Sequence, residues 1–166
     1  MQSSKTAPLS KKTIESWMKR LINRADEVGK QGEIPVAAAI IDFNGNCIGH
    51  GRNTRNKDFD PLGHAEIMAL RQASWIKKDW RFNDCTLIVT LEPCQMCAGA
   101  LVQARMGKII YGANDLKRGG LGGSIDLSTH KSAHHKMIVE RGVLEDQIKT
   151  QIESWFKNKR TKSTTP

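Results

Sequence analysis

Two short motifs constrain the fold of this chain more than any other feature: H-A-E at residues 64–66 and P-C-Q-M-C at residues 93–97. Cys94 and Cys97 are three positions apart, so at the start of a helix their sulfur atoms lie on one face, about one turn apart. The proline before them ends the preceding strand, and the partial positive charge at a helix N-terminus favours thiolates. Because His64 also stands where a helix is predicted to begin, we expect two helix N-termini to meet around one ion.

One imidazole and two thiolates form a ligand set suited to zinc. Structural zinc sites have four protein ligands, whereas three leave a position for a water molecule, whose pKa falls to about 7. We therefore predict that His64, Cys94 and Cys97 bind Zn²⁺. Glu66 does not share the helix face of His64, so we expect it beside the bound water, where it can pass the water's proton to a ring nitrogen and a leaving amine of the substrate. The combined H-x-E and P-C-x-x-C pattern is typical of zinc deaminases.

These residues also admit other interpretations. A lone C-x-x-C occurs in redox pairs and as half of a structural zinc site, but a redox pair does not account for the H-x-E motif, and the absence of a second C-x-x-C disfavours a zinc ribbon. Cys47, Cys85 or His50 would close the site if one of them were a fourth ligand. Cys47 and Cys85 lie in apolar, strand-like segments, and we expect both to be buried small hydrophobic residues.

The length of the chain, 166 residues, fits a single domain. We expect one domain over residues 10–160, with flexible tails at 1–9 and 161–166. The sequence has no apolar run long enough to span a membrane, and residues 1–10 do not have the apolar core of a secretory signal. We therefore expect a cytoplasmic protein.

The order of secondary-structure elements predicts an α/β fold. Hydrophobic periodicity indicates helices and strands in alternation, and Asn44-Gly45 between two short apolar runs predicts a hairpin. The expected architecture has three layers, with helices on both faces of a mixed sheet of about five strands. The predicted helices cover residues 10–29, 64–77, 94–105 and 145–159, with a possible short helix at 125–135, and the predicted strands cover 35–41, 47–51, 86–91, 108–111 and 137–140.

From about residue 33 to residue 144 the chain resembles the bacterial tRNA adenosine deaminases. The stretches that carry this resemblance are E-I-P-V at 33–36, G-H-A-E-I-M-A-L at 63–70, T-L-E-P-C-Q-M-C-A-G-A at 90–100, Y-G-A at 111–113, and residues 115–124. The resemblance implies a cytidine-deaminase-like fold, a homodimer, one zinc ion per subunit, and hydrolysis of adenosine to inosine at the wobble position of a tRNA anticodon loop.

The resemblance also implies roles for individual residues. His64, Cys94 and Cys97 correspond to the family's zinc ligands, and Glu66 corresponds to its catalytic proton shuttle. Asn53 resembles the family's base-contacting asparagine, the alternative being an ordinary loop residue. In the same way, Asp115 resembles a residue near the substrate sugar, the alternative being a helix or turn cap.

Charge separates the possible substrates. The chain has 26 Lys and Arg against 17 Asp and Glu, a net charge of +9, and basic residues concentrate at 117–142 and 157–162. A small neutral base needs no basic surface, whereas an RNA loop does, so RNA is favoured over free guanine or cytosine as the substrate. A third possibility, a non-catalytic zinc-containing RNA-binding subunit, has no need for Glu66.

Two further features bear on partners. The helix after Cys94 has apolar residues on several sides, more than one sheet face requires, which favours a homodimer. His130, His134 and His135 form a separate cluster. No cysteine or carboxylate pattern accompanies it, so we interpret it as a polar loop or a nucleic-acid contact rather than a second metal site.

Overall fold

The computed structural model describes Thr6 and residues 8–163, which form four helices and five strands. In chain order these elements are α1 (Lys11–Lys30), β1 (Ala37–Ile41), β2 (Cys47–Arg52), α2 (Ala65–Lys77), β3 (Thr86–Leu91), α3 (Gln95–Gln103), β4 (Lys108–Ala113), β5 (Ile138–Glu140) and α4 (Glu145–Ser163). No helix among the described residues is long and apolar enough to cross a membrane.

The five strands form one mixed sheet in the order β2-β1-β3-β4-β5. β1 is antiparallel to β2 and β3, whereas β3, β4 and β5 run parallel. One apolar core packs α2 and α3 against one face of the sheet, and a second core packs α1 and α4 against the other. This arrangement confirms the predicted three-layer α/β/α fold.

Local sequence signals account for the elements that frame the sheet. The side chain of Ser10 accepts a hydrogen bond from the Thr13 backbone N–H at 3.1 Å and so caps α1. Between β1 and β2, the Asp42 carboxylate accepts from the backbone N–H groups of Asn44 and Asn46. Gly45 takes a φ of +84°, which a residue without a Cβ adopts at little cost. The predicted hairpin is therefore confirmed.

Two glycines of β2 let α2 approach the sheet closely. A Cβ atom at Gly49 would lie within 3.0 Å of both Ala69 and Ala73, and one at Gly51 would overlap the carbonyl oxygen of Ala65. Without these glycines the first turns of α2 would be displaced away from β2. The close contact thus fixes the helix start that carries residues 64–66.

The structure differs from the sequence-based expectation in two places. Residues 125–135 form turns rather than a helix, because the Asp126 carboxylate accepts from the backbone and side chain of Ser128, and such local bonds compete with helix formation. Cys47, predicted to be buried, is exposed because it begins the edge strand β2 beside the hairpin turn, whereas Cys85 is buried as predicted.

The predicted domain boundaries at residues 9/10 and 160/161 fall close to the ends of the described chain. Leu9 packs against the core formed by α1 and α4, and α4 continues through Ser163. The remaining residues of the two predicted tails, 1–5, 7 and 164–166, lie outside the described part of the chain.

Candidate active site and metal centre

The three predicted ligands come from the starts of two helices. His64 is the N-cap of α2, Cys94 is the N-cap of α3, and Cys97 lies in the first turn of α3. Both caps have extended backbone conformations, and neither residue makes a side-chain capping hydrogen bond. The positions usually taken by capping Ser or Asp side chains therefore carry an imidazole and a sulfur.

The distances among these side chains fit a tetrahedral zinc site. The Nδ1 atom of His64 lies 3.6 Å from the Sγ atom of Cys94 and 3.5 Å from that of Cys97. Zn–N and Zn–S bonds of about 2.0 and 2.3 Å at a tetrahedral angle place nitrogen and sulfur about 3.5 Å apart. Among residues of the described chain, the candidate metal-binding group consists of these three side chains, without Cys47, Cys85 or His50. The described residues therefore offer three ligand atoms for one metal ion at this position.

The electrostatics of the ligand group favour a thiolate. Hydrogen bonds from Cys97 and from His64 lower the pKa of Cys94 to about 4. The pKa of Cys97 is raised, first by its hydrogen bond to Cys94 and then by burial. The hydrogen bond to Cys94 likewise raises the pKa of His64. In the absence of metal, these shifts favour the thiolate form of Cys94 and the protonated form of Cys97.

Glu66 lies in the first turn of α2 and is 4% exposed. Burial raises the pKa of its carboxyl group to about 7, with a further contribution from the charge of Cys94. A carboxyl group with a pKa near neutrality exchanges protons readily in both directions. Glu66 also interacts with Cys97, which places its carboxyl group beside the metal-binding cluster rather than in it.

A pocket opens over the cluster and contains every predicted site residue except the buried Cys97. Ile34, Val36 and Leu91 supply apolar surface, and Arg55 and Arg118 supply positive charge. Its remaining lining residues are Asn53, His64, Ala65, Glu66, Glu92, Cys94 and Asp115. The pocket therefore combines an apolar wall with polar groups that converge on the metal-binding cluster.

Asn53 and Asp115 are both fixed by hydrogen bonds to the backbone. The side-chain oxygen of Asn53, which is buried, accepts from the Arg55 N–H at 3.1 Å. The carboxylate of Asp115 accepts from the N–H groups of Lys117 and Arg118, both at 3.0 Å. Asp115 is thus the turn cap considered as the alternative, but as a lining residue it also faces the pocket.

Two buried carboxylates that the motifs do not single out hold the loops around the pocket. Glu33 accepts from the Lys57 backbone N–H at 2.7 Å and from the Asn56 side chain at 3.3 Å. Glu92 accepts from three backbone N–H groups of the 115–123 loop. The sequence signal for such a role is a glutamate placed directly beside an apolar strand segment. A charged side chain is seldom buried in such a place unless hydrogen bonds satisfy its charge.

The second histidine cluster does not assemble. The Nε2 atom of His135 donates to the Met106 carbonyl at 2.8 Å, and His130 pairs with Ser132. His134 is exposed. These contacts give His135 a structural role, and the three histidines are not among the metal-binding groups found in the described residues.

A second cavity continues from the pocket towards the C-terminal helix. It shares Asn53 and Arg55 with the pocket and reaches Trp155, Phe156 and Lys159 of α4. The Trp155 and Phe156 rings meet edge to face with centroids 5.0 Å apart, and the Lys159 ammonium lies over the Trp155 ring. Aromatic and cationic side chains along a groove are the groups that bind unpaired nucleotides.

Comparison with known proteins gives a consistent result. The family model for the cytidine and deoxycytidylate deaminase zinc-binding region matches residues 11–113. The tRNA-specific adenosine deaminase of Haemophilus influenzae is 36% identical over 146 residues, which is 88% of this chain and 84% of that protein. A structure from studies of A-to-I editing by tRNA:A34 deaminases at the wobble position superposes with a TM-score of 0.78 and 30% identity, covering 82% of this chain and 98% of that one. A guanine deaminase from Nitrosomonas europaea shares the fold, with a TM-score of 0.71 and 19% identity over 90% of this chain and 85% of that one.

Proposed function

Because this chain belongs to the cytidine and deoxycytidylate deaminase family, and within it to the tRNA-specific adenosine deaminases, we propose that it hydrolyses adenosine to inosine at the wobble position of a tRNA anticodon loop. The observation that carries this proposal is the buried Glu66 beside a His64–Cys94–Cys97 cluster whose N···S distances match tetrahedral zinc. We further propose one zinc ion per chain, since the cluster supplies one ligand set.

The arrangement assigns a distinct task to each group. His64, Cys94 and Cys97 would hold the metal, which when bound supplies an activated water. The Glu66 carboxylate would accept a proton from a water molecule and donate it to N1 of the adenine ring, while the remaining hydroxyl adds to C6. Glu66 would then transfer the proton of the new C6 hydroxyl to the departing amine, and the C6–N bond would break to give inosine and ammonia. A raised pKa suits Glu66 to both directions of transfer.

Two residues are proposed to position the substrate. The side-chain oxygen of Asn53 is engaged by Arg55, so its amide nitrogen is the group that would donate to an acceptor on the base. Asp115, held in its turn by two backbone bonds, would accept from a sugar hydroxyl. Both lie on the wall of the pocket, with Glu66 and Cys94 as further lining residues.

Charge around the pocket supports an RNA substrate over a free base. Arg55 and Arg118 line the pocket, and the adjoining cavity ends at Lys159 and the aromatic pair of α4. A free base carries no phosphate for these cations to bind, whereas an anticodon loop presents several, along with unstacked bases. The guanine deaminase shares the fold at low identity, which does not transfer its substrate to this chain.

We propose that the chain forms a homodimer through the exposed side of α3. The monomer buries Ala98, Leu101 and Val102, so these apolar residues need no partner. On the opposite side Met96 is exposed and Ala100 is partly exposed. Light scattering at micromolar concentration is the direct test, and a monomer would contradict the proposal.

The proposed function can be tested by assaying the zinc-loaded enzyme with several substrates in parallel. One is an anticodon stem-loop with adenosine at the wobble position, and the others are free adenosine, cytidine, guanine and cytosine. We expect deamination of the stem-loop, with a matched stem-loop carrying guanosine at that position as the unreactive control. Efficient turnover of free guanine with an inert stem-loop would replace this proposal with a small-base deaminase. Tight stem-loop binding without any turnover would instead indicate a non-catalytic subunit.

A further inference from the structure

The Glu92 carboxylate is almost completely buried at the junction between β3 and α3. It is 2% exposed and accepts from the backbone N–H of Asp115 at 2.9 Å, Leu121 at 3.0 Å and Gly123 at 2.8 Å. A buried carboxylate is costly to desolvate, and several backbone N–H bonds are needed to offset that cost. The reaction proposed above does not use this group.

The 115–123 loop is built closely around this carboxylate. A Cβ atom at Gly119 or at Gly123 would overlap the Glu92 carboxyl group, so only glycine permits the loop to close over it. The Gly120 N–H donates to the Pro93 carbonyl at 2.8 Å, and Gly119 forms a β-bridge with Cys94. The loop is therefore attached both to Glu92 and to the backbone that carries a metal ligand.

This loop supplies one wall of the pocket. Asp115 and Arg118 line the pocket together with Glu66 and Cys94, and the Asp115 carboxylate caps the turn that contains Arg118. The first of the three Glu92 bonds goes to the Asp115 N–H. Loss of that bond would loosen the attachment of the turn that carries Asp115 and Arg118. No hydrogen bond of Glu92 to His64, Cys97 or Glu66 would be lost with it.

We propose that Glu92 is a positioning residue that holds the 115–123 loop against the metal centre and thereby determines how tightly the RNA loop is bound. This inference rests on the proposed function, because it concerns the substrate of the same pocket. Glu92 acts through the loop and does not contact the reacting atoms. Its loss should therefore weaken substrate binding more than it slows the bound substrate's reaction.

Glu92→Gln is the direct test because the amide keeps the shape but has a single acceptor oxygen. That oxygen can keep the Leu121 and Gly123 bonds, whereas the new NH₂ group then faces the Asp115 N–H. Loss of a charge-assisted bond in a buried site is expected to raise KM for the stem-loop about tenfold or more, with kcat changed by less than that. Glu140→Gln, which removes an exposed carboxylate on β5, is the matched control and should leave both constants unchanged.

Two readouts separate positioning from a general structural role. Amide hydrogen exchange in the 115–123 loop should accelerate about tenfold or more in Glu92→Gln, while α3 and the zinc content stay as in the wild type. Affinity for the inosine-containing product stem-loop, measured by fluorescence anisotropy, should fall in parallel with the rise in KM. If Glu92→Gln does not fold, Gly119→Ala, which crowds the carboxylate without changing its charge, should give the same pattern.

The possible outcomes are distinguishable. Faster loop exchange with unchanged KM and product affinity would overturn the proposal, as would exchange that accelerates equally in α3 with loss of zinc. A wild-type enzyme that neither binds nor deaminates the stem-loop overturns the proposed function and, with it, the RNA-binding role. The anchoring of the loop by Glu92 would then be decided by the exchange data alone.

Discussion

Gly51 of β2 lies directly beneath Ala65 of α2, so close that a Cβ atom on the glycine would overlap the alanine carbonyl oxygen. Ala65 is flanked by the proposed ligand His64 and the proposed proton shuttle Glu66. The contact therefore connects the height of the helix above the sheet to the geometry of the site. A methyl group at position 51 cannot fit unless the first turn of α2 moves.

Gly51→Ala is expected to lower stability by about 1–3 kcal/mol, the usual cost of overpacking a well-packed core. Zinc affinity should fall as well, since the ligand on α2 is displaced from the two on α3. The matched control is Gly99→Ala, where a Cβ atom would meet nothing within 4 Å. Thermal unfolding with and without zinc checks both statements, and equal stability of the two variants would refute the close-packing argument.

Zinc should bind through one nitrogen and two sulfur ligands with release of a proton. The pKa of Cys97 is raised by its hydrogen bond to Cys94, so binding has to displace the Cys97 proton and should weaken in acid. X-ray absorption gives the ligand types, and calorimetry in buffers of different ionisation enthalpy gives the proton count. A spectrum with four sulfur ligands and no imidazole would exclude the three-ligand assignment.

Glu66→Gln should keep the fold and the zinc but lose turnover of the stem-loop by roughly 100-fold or more, the typical effect of a positioned general acid/base. The amide preserves the shape of the side chain and removes the proton carrier. Zinc content, measured by atomic emission, has to equal that of the wild type for the comparison to be valid. Near-normal activity in such a sample would contradict the shuttle role.

In the metal-free protein, the difference in stability between the wild type and Glu66→Gln should depend on pH. Burial raises the pKa of Glu66 to about 7, above its ordinary value of 4.5, so the native state binds this proton more tightly than the unfolded state. The stabilisation is complete below about pH 4.5 and is lost as the pH rises through about 7. Relative to Glu66→Gln, the wild type should therefore lose unfolding free energy across this interval, as measured by urea titration at several pH values. A difference between the two proteins that does not change with pH would show that the carboxyl group is not perturbed.

Binding of the stem-loop should weaken steeply with salt because phosphate contacts release counterions. Arg118 lines the pocket, and Arg118→Gln should reduce the slope of log K against log salt by about one unit. Lys19→Gln, which removes one exposed charge from α1, is the control and should leave the slope unchanged. A wild-type affinity that is independent of salt would argue against phosphate contacts.

Much of the candidate site could be predicted from the sequence because Cys94 and Cys97 are closely spaced and His64 stands at the start of another predicted helix. The i, i+3 relation of Cys94 and Cys97 at a helix start holds in any fold that keeps the helix. The two-residue offset of Glu66 from His64 likewise separates their faces on any helix. By contrast, local hydrogen bonds determine the conformation of residues 125–135, where Asp126 stabilises turns in place of the possible helix.

The sequence by itself therefore determined the α/β architecture, which follows from hydrophobic periodicity, and the candidate metal-binding group of His64, Cys94 and Cys97, which follows from the pairing of an H-x-E motif with a P-C-x-x-C motif at two predicted helix starts. Only the tertiary structure decided which groups hold the loops around the pocket. Glu92 and the N–H groups of Leu121 and Gly123 are about 30 residues apart along the chain, and no local pattern relates them. The exposure of Cys47 and the approach of Gly51 to Ala65 depend in the same way on the pairing of β2 at the sheet edge and on its packing with α2. Such relations arise from the burial of polar groups and the fit of surfaces between distant segments, which spacing along one element does not encode.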